Sequence, residues 1–301
     1  WKDKKIKNFI LFSDIKYLKK HIKNKISNDE INIINSKNNI KNYHNFKINI
    51  YSYNSKSSVD NTYKSLKHAY YFCKRKLCKG IITLPLRKDL IIKKINKHFI
   101  GQTEYFQNID KRKNSNMILF HNKIIISPLT THIKIKNISK IISNKNFLIN
   151  QIINLHKTLK IDFNIKNPKL IISGLNPHAG ENGEIGIEEK KIIIPIIKKL
   201  RKNGININGP FSADSVLIPK NLNKYNCFVF IYHDQALIPF KFISQFSGVN
   251  FTGNLNIIRT SPDHGTAYDL IKTKKFSNKS FINCYKLINK IYKNRMINDK
   301  I

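Results

Sequence analysis

The 301-residue sequence has few cysteines, and their positions exclude two kinds of small scaffold. Cys73 and Cys78 lie five residues apart on a helical pattern, and Cys227 and Cys284 are isolated. A disulfide framework or a zinc cluster needs cysteines at short, repeated spacings. We therefore expect reduced thiols packed in the core of a cytoplasmic protein.

The sequence also has no long apolar run, no signal peptide and no internal repeat. A membrane-spanning helix needs roughly 18 consecutive apolar residues, so we expect no membrane partner. No GxGxxG follows the first predicted strand, which leaves a Rossmann domain without support. The chain begins at Trp1 without a methionine, so we expect that an N-terminal piece is absent, through truncation or erosion of the gene.

Acidic residues are scarce, and 55 lysines and arginines against 18 aspartates and glutamates make the formal net charge +37. Such an excess is the footprint that a nucleic-acid-binding protein needs. Here the lysines are spread evenly and accompany equally abundant asparagine and isoleucine, which indicates drift in an AT-rich genome. We expect a self-repelling, salt-sensitive surface and no specific nucleic-acid partner.

Strands alternate with helices along the chain, which predicts an α/β protein. Several strands are apolar throughout, as expected of a sheet covered on both faces. The predicted strands cover residues 8–13, 46–53, 81–84, 117–120, 123–127, 169–173, 227–232 and 249–259, and the fourth and fifth form a hairpin. The predicted helices cover 14–25, 57–80, a short segment from 101, 137–160 with a break near 143–146, 188–202 and 281–296; residues 28–42 are predicted as loop.

The stretch 173–189, SGLNPHAGENGEIGIEE, joins a buried strand to a helix. The apolar run before it stops at a long loop punctuated by glycine and proline. Glu188 and Glu189 then open an apolar-periodic helix, where acidic side chains suit the positive end of the helix dipole. His178 therefore lies in a loop beyond the carboxyl end of a strand, which is where α/β proteins bind ligands.

Three of the ten histidines share this position. His132, His178 and His233 each end or follow an apolar strand, in SPLTTH, SGLNPH and FVFIYH. Three imidazoles at strand ends can converge on one divalent cation and leave coordination positions free for a substrate. A single histidine in this position is more often a hydrogen-bonded core or loop residue than a metal ligand. Three histidines in the same context make the structural and the metal-binding interpretations about equally supported.

Polar residues that follow His233 favour the metal interpretation. Asp234 and Gln235 can orient a metal-bound imidazole by accepting a hydrogen bond from its second ring nitrogen. Lys241 and Arg259 suit an anionic substrate that carries phosphate or carboxylate. A solvated cation is a strong alternative for Lys241 in a lysine-rich chain, and a weaker one for Arg259, which follows an apolar run and is one of few arginines.

Several longer motifs occur together along the chain. They are GQTE at 101–104, TTH at 130–132, NPHAGENGEIGIEE at 176–189, GPFSADSVL at 209–217, YHDQALIPFK at 232–241, and GVN with IRTSPDHGTA within 248–267. These motifs resemble those of the 4-hydroxythreonine-4-phosphate dehydrogenase family. They occur in the family's order and at nearly its spacing, from about residue 80 onward. Several motifs together are far more specific than any one of them.

The resemblance implies an isocitrate/isopropylmalate-dehydrogenase-like α/β fold, with two subdomains and a cleft between them. The chain 1–301 would form one dehydrogenase unit, with approximate subdomains 1–100 plus 255–301, and 101–254. The resemblance also implies a homodimer whose metal site is shared between subunits.

The family's site residues carry over position by position, as the resemblance implies. The metal ligands fall on His132, His178 and His233. The substrate-binding positions fall on Gln102, Thr103, Lys241, Asn250 and Arg259. The catalytic candidates are Lys241, Asp234 and Asp214. The lining of the cofactor site falls on Ser261, Asp263, His264, Gly265, Thr266 and Asp269.

The implied reaction is an NAD-dependent oxidation of 4-phosphooxy-L-threonine, assisted by a divalent cation. The cation lowers the pKa of the substrate hydroxyl, and hydride leaves to the nicotinamide. The β-keto acid then decarboxylates to 3-amino-2-oxopropyl phosphate, which feeds pyridoxal 5'-phosphate synthesis. Zn²⁺, Co²⁺ or Mg²⁺ would serve, and three neutral imidazoles favour a borderline ion.

The chain departs from the family pattern at positions that bear on activity. Gln102 stands where the family usually has histidine, and an amide cannot carry a proton or a charge. Leu84 and Arg87 replace the usual glycine and histidine in TLPLRK, and the family's Gly/Pro-rich N-terminal loop is missing before Trp1. One alternative is therefore a catalytically weakened metal-binding relative. Another, suggested only by charge, is a basic nucleic-acid-binding protein.

Overall fold

The computed structural model describes residues 6, 8–22, 26–35, 43–267 and 277–298, which form two β-sheets with helices packed on them. The strands are β1 Ile10–Phe12, β2 Ile31–Ile34, β3 Ile48–Tyr51, β4 Ile81–Ile82, β5 Asn116–His121, β6 Ile124–Pro128, β7 Leu170–Ser173, β8 Ile207–Phe211, β9 Cys227–Phe230, β10 Val249–Gly253 and β11 Arg259–Pro262. The helices are α1 Ile15–Ile22, α2 Ser58–Lys74, α3 Lys88–Lys94, α4 Gln102–Ile109, α5 Ile138–Ile142, α6 Lys145–Ile161, α7 Ile194–Lys202, α8 Pro219–Lys224, α9 His233–Ser244 and α10 Lys279–Ile297.

The larger sheet has the strand order β4-β11-β10-β5-β6-β9-β7-β8. Its centre is antiparallel, since β5 pairs in that sense with both β10 and β6, and the predicted hairpin is confirmed. The sheet then continues in parallel through β6, β9, β7 and β8. Parallel strands place their carboxyl ends at the same edge of a sheet, so the segments that follow β6, β7 and β9 lie at one edge.

The parallel half is buried on both faces because its strands are apolar at nearly every position. Alternate residues of β7 and β9 point to opposite sides of the sheet. Ile172 and Val229 join α6, α7 and α10 in one core, whereas Ile171 and Phe228 pack with Phe240 of α9 in the other. The predicted sheet with both faces covered is confirmed.

The N-terminal strands form a separate parallel sheet in the order β1-β3-β2. Helix α2 covers it with Phe72, whose ring packs edge-on against Phe12 and Tyr51. The other side of α2 packs on α3 and α4. Ser57 caps α2 as predicted, since its hydroxyl accepts the backbone N–H of Asp60 at 3.1 Å.

Three of the secondary-structure predictions are wrong. The predicted loop over 28–42 contains β2, an isoleucine-rich strand that pairs with β3. Helix α2 ends at Lys74 rather than at residue 80, and Lys76 then takes a left-handed φ of 60°. The single extended segment 249–259 is two antiparallel strands, β10 and β11, because the chain turns at Asn254 with a φ of 63°.

A buried ion pair fixes the chain just before β11. Arg295 of α10 donates from Nε to Asp162 Oδ1 at 2.6 Å and from Nη1 to the carbonyl of Asn256 at 2.9 Å. Both charged residues are buried. Since Asp162 ends α6, this pair ties α10, α6 and the turn that leads into Arg259 together.

The cysteines behave as the sequence predicts. Cys227 and Cys284 are buried, Cys73 and Cys78 are half-buried, and all four are free thiols. Burial raises the pKa of Cys78 to about 11 and that of Cys284 to about 12, so neither thiol is activated. None of the described helices is long and apolar enough to span a membrane. The division into subdomains stays a prediction.

Candidate active site

Two of the three predicted histidines lie side by side. His132 follows β6, and His233 opens α9 after β9, the parallel neighbour of β6. Their ring centroids are 6.0 Å apart. The connection is held by Thr130, whose hydroxyl donates to the carbonyl of Ile231 at 2.8 Å. The imidazole pair therefore results directly from the adjacency of two strand ends.

Each imidazole of this pair is bound to a carboxylate through Nδ1. His132 Nδ1 lies 3.0 Å from Glu104 Oε1, and His233 Nδ1 lies 2.6 Å from Asp234 Oδ1. A carboxylate at Nδ1 keeps the proton there and leaves Nε2 as the free lone pair, as behind metal-binding histidines. Burial alone would raise the pKa of the Glu104 carboxyl, but the hydrogen bond from His132, a backbone N–H and the nearby positive charges of His132 and Lys88 together outweigh it and hold that pKa below its ordinary value.

His178 lies apart from this pair, in the exposed loop Pro177–Gly183 after β7. Its neighbour is Asp214, whose pKa is lowered by a hydrogen bond from Ser212 and further by the His178 imidazole. Among the described residues, no three His, Cys, Asp or Glu side chains come close enough to hold a metal ion. One copy of the chain thus places His132 and His233 together and His178 elsewhere.

Arg259 is a buried cation at the start of β11, only 3% exposed. Its guanidinium donates to Thr83 Oγ1 at 2.7 and 3.0 Å, to Thr252 Oγ1 at 2.9 Å, to Thr103 Oγ1 at 3.2 Å and to Gln102 Oε1 at 2.7 Å. Burial lowers the pKa of Arg259 to about 10. All these acceptors are neutral, and the described part of the chain supplies no salt-bridge partner, so the pocket keeps a positive charge.

Lys241 and Asn250 belong to a second polar group. Lys241 Nζ donates to the carbonyl of Asp263 at 2.6 Å, and Asp263 Oδ2 accepts from the Ser244 hydroxyl at 3.1 Å. Asn250 Oδ1 and Asp263 Oδ1 are buried and have no hydrogen-bond donor within the described residues. Buried acceptors of this kind indicate where a ligand or an ordered water supplies the missing donor.

Two cavities lie beside these groups, and Met117 lines both. The larger, of about 220 Å³, has walls that include Thr103, Glu104 and His132. The smaller, of about 160 Å³, has walls that include Lys241, Asn250, Asp263 and His264. Six of the predicted site residues therefore line these two neighbouring cavities: Thr103 and His132 at the larger one, and Lys241, Asn250, Asp263 and His264 at the smaller one.

Comparison with known proteins assigns the family. The family model described as "Pyridoxal phosphate biosynthetic protein PdxA" matches residues 5–288. The chain belongs to the PdxA family. The resemblance predicted from the motifs is confirmed, and it extends into the first 80 residues, where the motifs are weak.

Several curated proteins similar to this PdxA chain carry the name 4-hydroxythreonine-4-phosphate dehydrogenase. The 4-hydroxythreonine-4-phosphate dehydrogenase of Wigglesworthia glossinidia brevipalpis is 40% identical over 226 residues, which cover 74% of this chain and 68% of that protein. The protein of the same name from Bacteroides thetaiotaomicron is 37% identical over 216 residues, covering 71% and 59%. Against three such relatives the matched region spans only 58–62% of their length.

Solved structures show the same fold. The 4-hydroxythreonine-4-phosphate dehydrogenase of Klebsiella pneumoniae has a TM-score of 0.81 at 26% identity, covering 94% of this chain and 88% of that one. A terephthalate 1,2-cis-dihydrodioldehydrogenase from Burkholderia xenovorans, at a TM-score of 0.59 and 19% identity, shares the fold alone. The predicted isocitrate/isopropylmalate-dehydrogenase-like α/β fold is confirmed.

The segment predicted to line the cofactor site of this PdxA chain leaves the sheet after β11. Ser261 is buried in the strand, whereas Gly265 and Thr266 are exposed. His264 Nδ1 lies 3.0 Å from the carbonyl of Gly265. Asp269 lies outside the described residues. These cofactor assignments stay predictions.

Sequence reasoning missed the role of Glu104 and of two threonines. Glu104 stands in the GQTE motif, but only the fold shows that it holds His132. Thr83 and Thr252 carry no sequence signal of their own. They meet Arg259 because β4, β11 and β10 are neighbours in the sheet.

Proposed function

We propose that this chain is a cytoplasmic, NAD-dependent 4-hydroxythreonine-4-phosphate dehydrogenase. It would oxidise 4-phosphooxy-L-threonine, with a divalent cation, to a β-keto acid that loses carbon dioxide to form 3-amino-2-oxopropyl phosphate for pyridoxal 5'-phosphate synthesis. The observation that carries the proposal is the carboxylate-backed pair His132 and His233 at a cavity whose wall residue Thr103 is bonded to Arg259. The names of the curated relatives support the same substrate.

The positive side chains support the binding of a phosphorylated anion. Arg259 is buried and faces only neutral acceptors, so an anionic substrate group gains a strong attraction to it in a site of low dielectric. Gln102 and Thr103 both accept hydrogen bonds from the guanidinium, and Thr103 lines the larger cavity. Lys241 and Asn250 offer a cation and an amide at the smaller cavity. Together these groups would fix the pose of the substrate.

The donor set fits a divalent cation. His132 and His233 keep Nε2 free, and Glu104 Oε2 is buried without a donor in the described part of the chain. His178 of a second copy would complete the set. Neutral imidazoles favour Zn²⁺ or Co²⁺ over Mg²⁺. Such a cation, when bound, lowers the pKa of a hydroxyl and stabilises negative charge that develops nearby.

The exposed apolar surface supports a homodimer. Ile238 and Phe242, one turn apart on α9, are 71% and 85% exposed, and Ile187, after the loop that carries His178, is 48% exposed. One copy of the chain keeps His178 apart from His132 and His233, so a second copy is needed to bring the three together. Exposed apolar surface favours a self-complementary interface between two such copies. In the proposed dimer, His178 of one copy meets the His132 and His233 pair of the other.

NAD is the proposed hydride acceptor, and the nicotinamide supplies that chemistry. The segment 261–269 would line its site. Asp263 and His264 face the smaller cavity, and Arg259 begins the strand from which the segment emerges. Substrate and cofactor would therefore lie side by side.

The protein's own side chains would hold protons and orient the reactants. Glu104 and Asp234 keep the protons of the imidazole pair on Nδ1. Lys241, held on the carbonyl of Asp263, presents a donor to the smaller cavity. Asp214 offers an exposed carboxylate beside His178. Lys241, Asp234 and Asp214 are the proposed catalytic residues.

NADH formation from 4-phosphooxy-L-threonine, with Zn²⁺, Co²⁺, Mg²⁺ or no metal, tests the proposal. His132→Ala and His178→Ala should each lower kcat/KM by about 100-fold or more, since metal-ion catalysis contributes several kcal/mol. A chelator should abolish turnover. His98→Ala, at an exposed histidine away from both cavities, is the matched control and should leave kcat/KM unchanged.

Two other outcomes would favour the alternatives. Metal binding without NADH formation would favour a catalytically weakened relative, for which Gln102 is the specific observation because its amide cannot transfer a proton. Salt-sensitive DNA binding without metal binding would contradict both enzyme hypotheses. It would favour a nucleic-acid-binding protein, to which only the net charge of +37 points.

A further inference from the structure

The loop that carries His178 has an unusual backbone. Five consecutive residues, 178–182, have φ values between 42° and 84°, and only Gly180 among them lacks a Cβ. L-residues in the left-handed region are disfavoured because Cβ crowds the following carbonyl. Such a run persists only where surrounding contacts determine it, and such runs cluster at functional sites.

Glu189 supplies those contacts. Its side chain is buried, with the residue only 3% exposed. Oε1 accepts the backbone N–H groups of Leu175 and Asn176 at 2.6 and 2.8 Å, and Oε2 accepts from Asn176 Nδ2 at 2.9 Å. The described residues contain no basic side chain in salt-bridge contact with Glu189. The N–H donors that precede the left-handed turn therefore stabilise this carboxylate.

A second carboxylate completes the clamp on Asn176. Glu188 Oε2 accepts from Asn176 Nδ2 at 2.9 Å, and Glu188 Oε1 accepts from the Ser139 hydroxyl of α5 at 2.8 Å. The carbonyl of Asn176 accepts from the backbone N–H of Ala179 at 3.1 Å, which closes the first turn of the loop. The backbone before His178 is thus bonded to Glu189, and the Asn176 side chain is linked through Glu188 to α5.

The glycines of the loop fit around this clamp. A Cβ on Gly180, whose φ is +84°, would lie 2.7 Å from Glu189 Oε2. A Cβ on Gly186 would overlap the side-chain amide of Asn176. The Gly-rich composition of the loop therefore leaves room for Asn176 and Glu189 to meet.

We propose that Glu189 is a positioning residue for His178. Its buried carboxylate fixes the backbone at Leu175 and Asn176, and this anchor sets the left-handed turn that presents the imidazole. The inference rests on the proposed function, in which His178 is a metal ligand. It goes beyond that function because it assigns a role to a residue that touches neither metal nor substrate.

Glu189→Gln in the full-length chain tests this role. The glutamine oxygen can accept the two backbone N–H groups, but its NH₂ group opposes the NH₂ group of Asn176. We expect faster amide hydrogen exchange in residues 174–186 and a Co²⁺ affinity, measured by titration calorimetry, about 10–100-fold weaker than that of the wild type. The thermal midpoint should fall by only a few degrees, since a single buried carboxylate loses its charge.

Glu184→Gln is the matched control, because Glu184 is exposed in the same loop and the substitution removes the same charge. It should leave both hydrogen exchange and Co²⁺ affinity unchanged. Wild-type exchange in Glu189→Gln, or an increase spread over the whole chain, would overturn the inference. If Glu189→Gln does not fold, Asn176→Ala carries the same expectations and the same refutation.

His178→Ala separates this inference from the proposed function. Unchanged Co²⁺ affinity in His178→Ala would remove His178 from the ligand set and so contradict the proposed metal site. The exchange of residues 174–186 would still report on the anchoring by Glu189. Weaker Co²⁺ binding in His178→Ala together with wild-type exchange in Glu189→Gln would support the site and overturn the anchor.

Discussion

At the scale of single residues, the candidate site depends on which side chains accept hydrogen bonds from the buried Arg259 guanidinium. Gln102 bonds in two directions: Oε1 accepts from Arg259 Nη2 at 2.7 Å, and Nε2 donates to the carbonyl of Leu84 at 2.9 Å. A neutral amide fixes the guanidinium without neutralising its charge. A protonated histidine at this position would place a second cation beside a buried one, which electrostatic repulsion disfavours. Gln102 therefore binds the guanidinium without adding a second cation beside it.

Gln102→Glu should pair Arg259 within the protein and weaken the binding of an anionic substrate. We expect KM for 4-phosphooxy-L-threonine to rise about tenfold, equivalent to about 1.4 kcal/mol of lost attraction. The thermal midpoint should not fall, because the new carboxylate compensates a buried cation. Steady-state kinetics measures the effect, with Asn108→Asp on the exposed side of α4 as the control for charge. An unchanged KM would contradict the binding role of Arg259.

At the scale of secondary-structure elements, Asp14 joins the turn before α1 to the chain before α2. Its Oδ2 accepts the backbone N–H and the hydroxyl of Ser55 at 2.9 and 2.7 Å, and its Oδ1 accepts the backbone N–H of Lys16 at 3.1 Å. Lys16 Nζ lies 3.5 Å from Asp14 Oδ2. Burial alone would raise the pKa of Asp14, but these hydrogen bonds outweigh it and hold the pKa below 3.8.

Asp14→Asn should lower the free energy of unfolding by about 1–3 kcal/mol near neutral pH, because buried donors lose a charged acceptor. The folded-state pKa lies below the unfolded value, so the carboxylate stabilises the protein above about pH 4, and this contribution is lost as pH falls through the folded-state pKa. Urea unfolding of mutant and wild type at several pH values measures the difference, which should shrink in acid. The exposed Asp29→Asn is the control. A difference independent of pH would contradict this role.

At the scale of elements, some of the secondary structure of this chain could be predicted from its sequence and some could not. The hairpin of β5 and β6, the cap at Ser57 and the strand ends at His132 and His233 follow from local patterns and are confirmed. Strand β2 was missed because an asparagine-rich context obscured a short isoleucine-rich strand. Its strand conformation depends on pairing with β3, which is a tertiary contact.

For the whole molecule, charge and apolar surface act on association in opposite directions. The net charge of +37 makes two copies repel, and salt screens that repulsion. Ile238 and Phe242 favour association when they are covered. The proposed dimer must therefore strengthen as ionic strength rises, the reverse of what a polyanion complex would do.

Ile238→Asp should dissociate the proposed dimer, because it places a charge in an apolar interface. We expect the dimer dissociation constant, from sedimentation equilibrium, to rise about 30-fold or more, as for loss of a central interface residue worth about 2 kcal/mol. Metal affinity should fall in parallel, since the ligand set is then divided between separated chains. Ile297→Asp is the control because Ile297 is 70% exposed against 71% for Ile238. Wild-type metal affinity in a monomeric Ile238→Asp protein would contradict a shared site.

The sequence by itself determined the α/β class, the family and the position of three histidines beyond strand ends. Each of these depends on periodicity or on contiguous motifs. Only the tertiary structure decided which of them meet. Parallel pairing of β6 with β9 brings His132 and His233 together, packing of α4 adds Glu104, and the neighbouring strands of the sheet surround Arg259 with threonines. Except for the contact of Arg259 with Thr252, seven residues earlier, these contacts join residues at least 28 positions apart, so no local pattern encodes them. The clamp of Glu189 lies between the two cases, since its partners Leu175 and Asn176 are 14 and 13 residues away in the chain but meet Glu189 only in the folded loop.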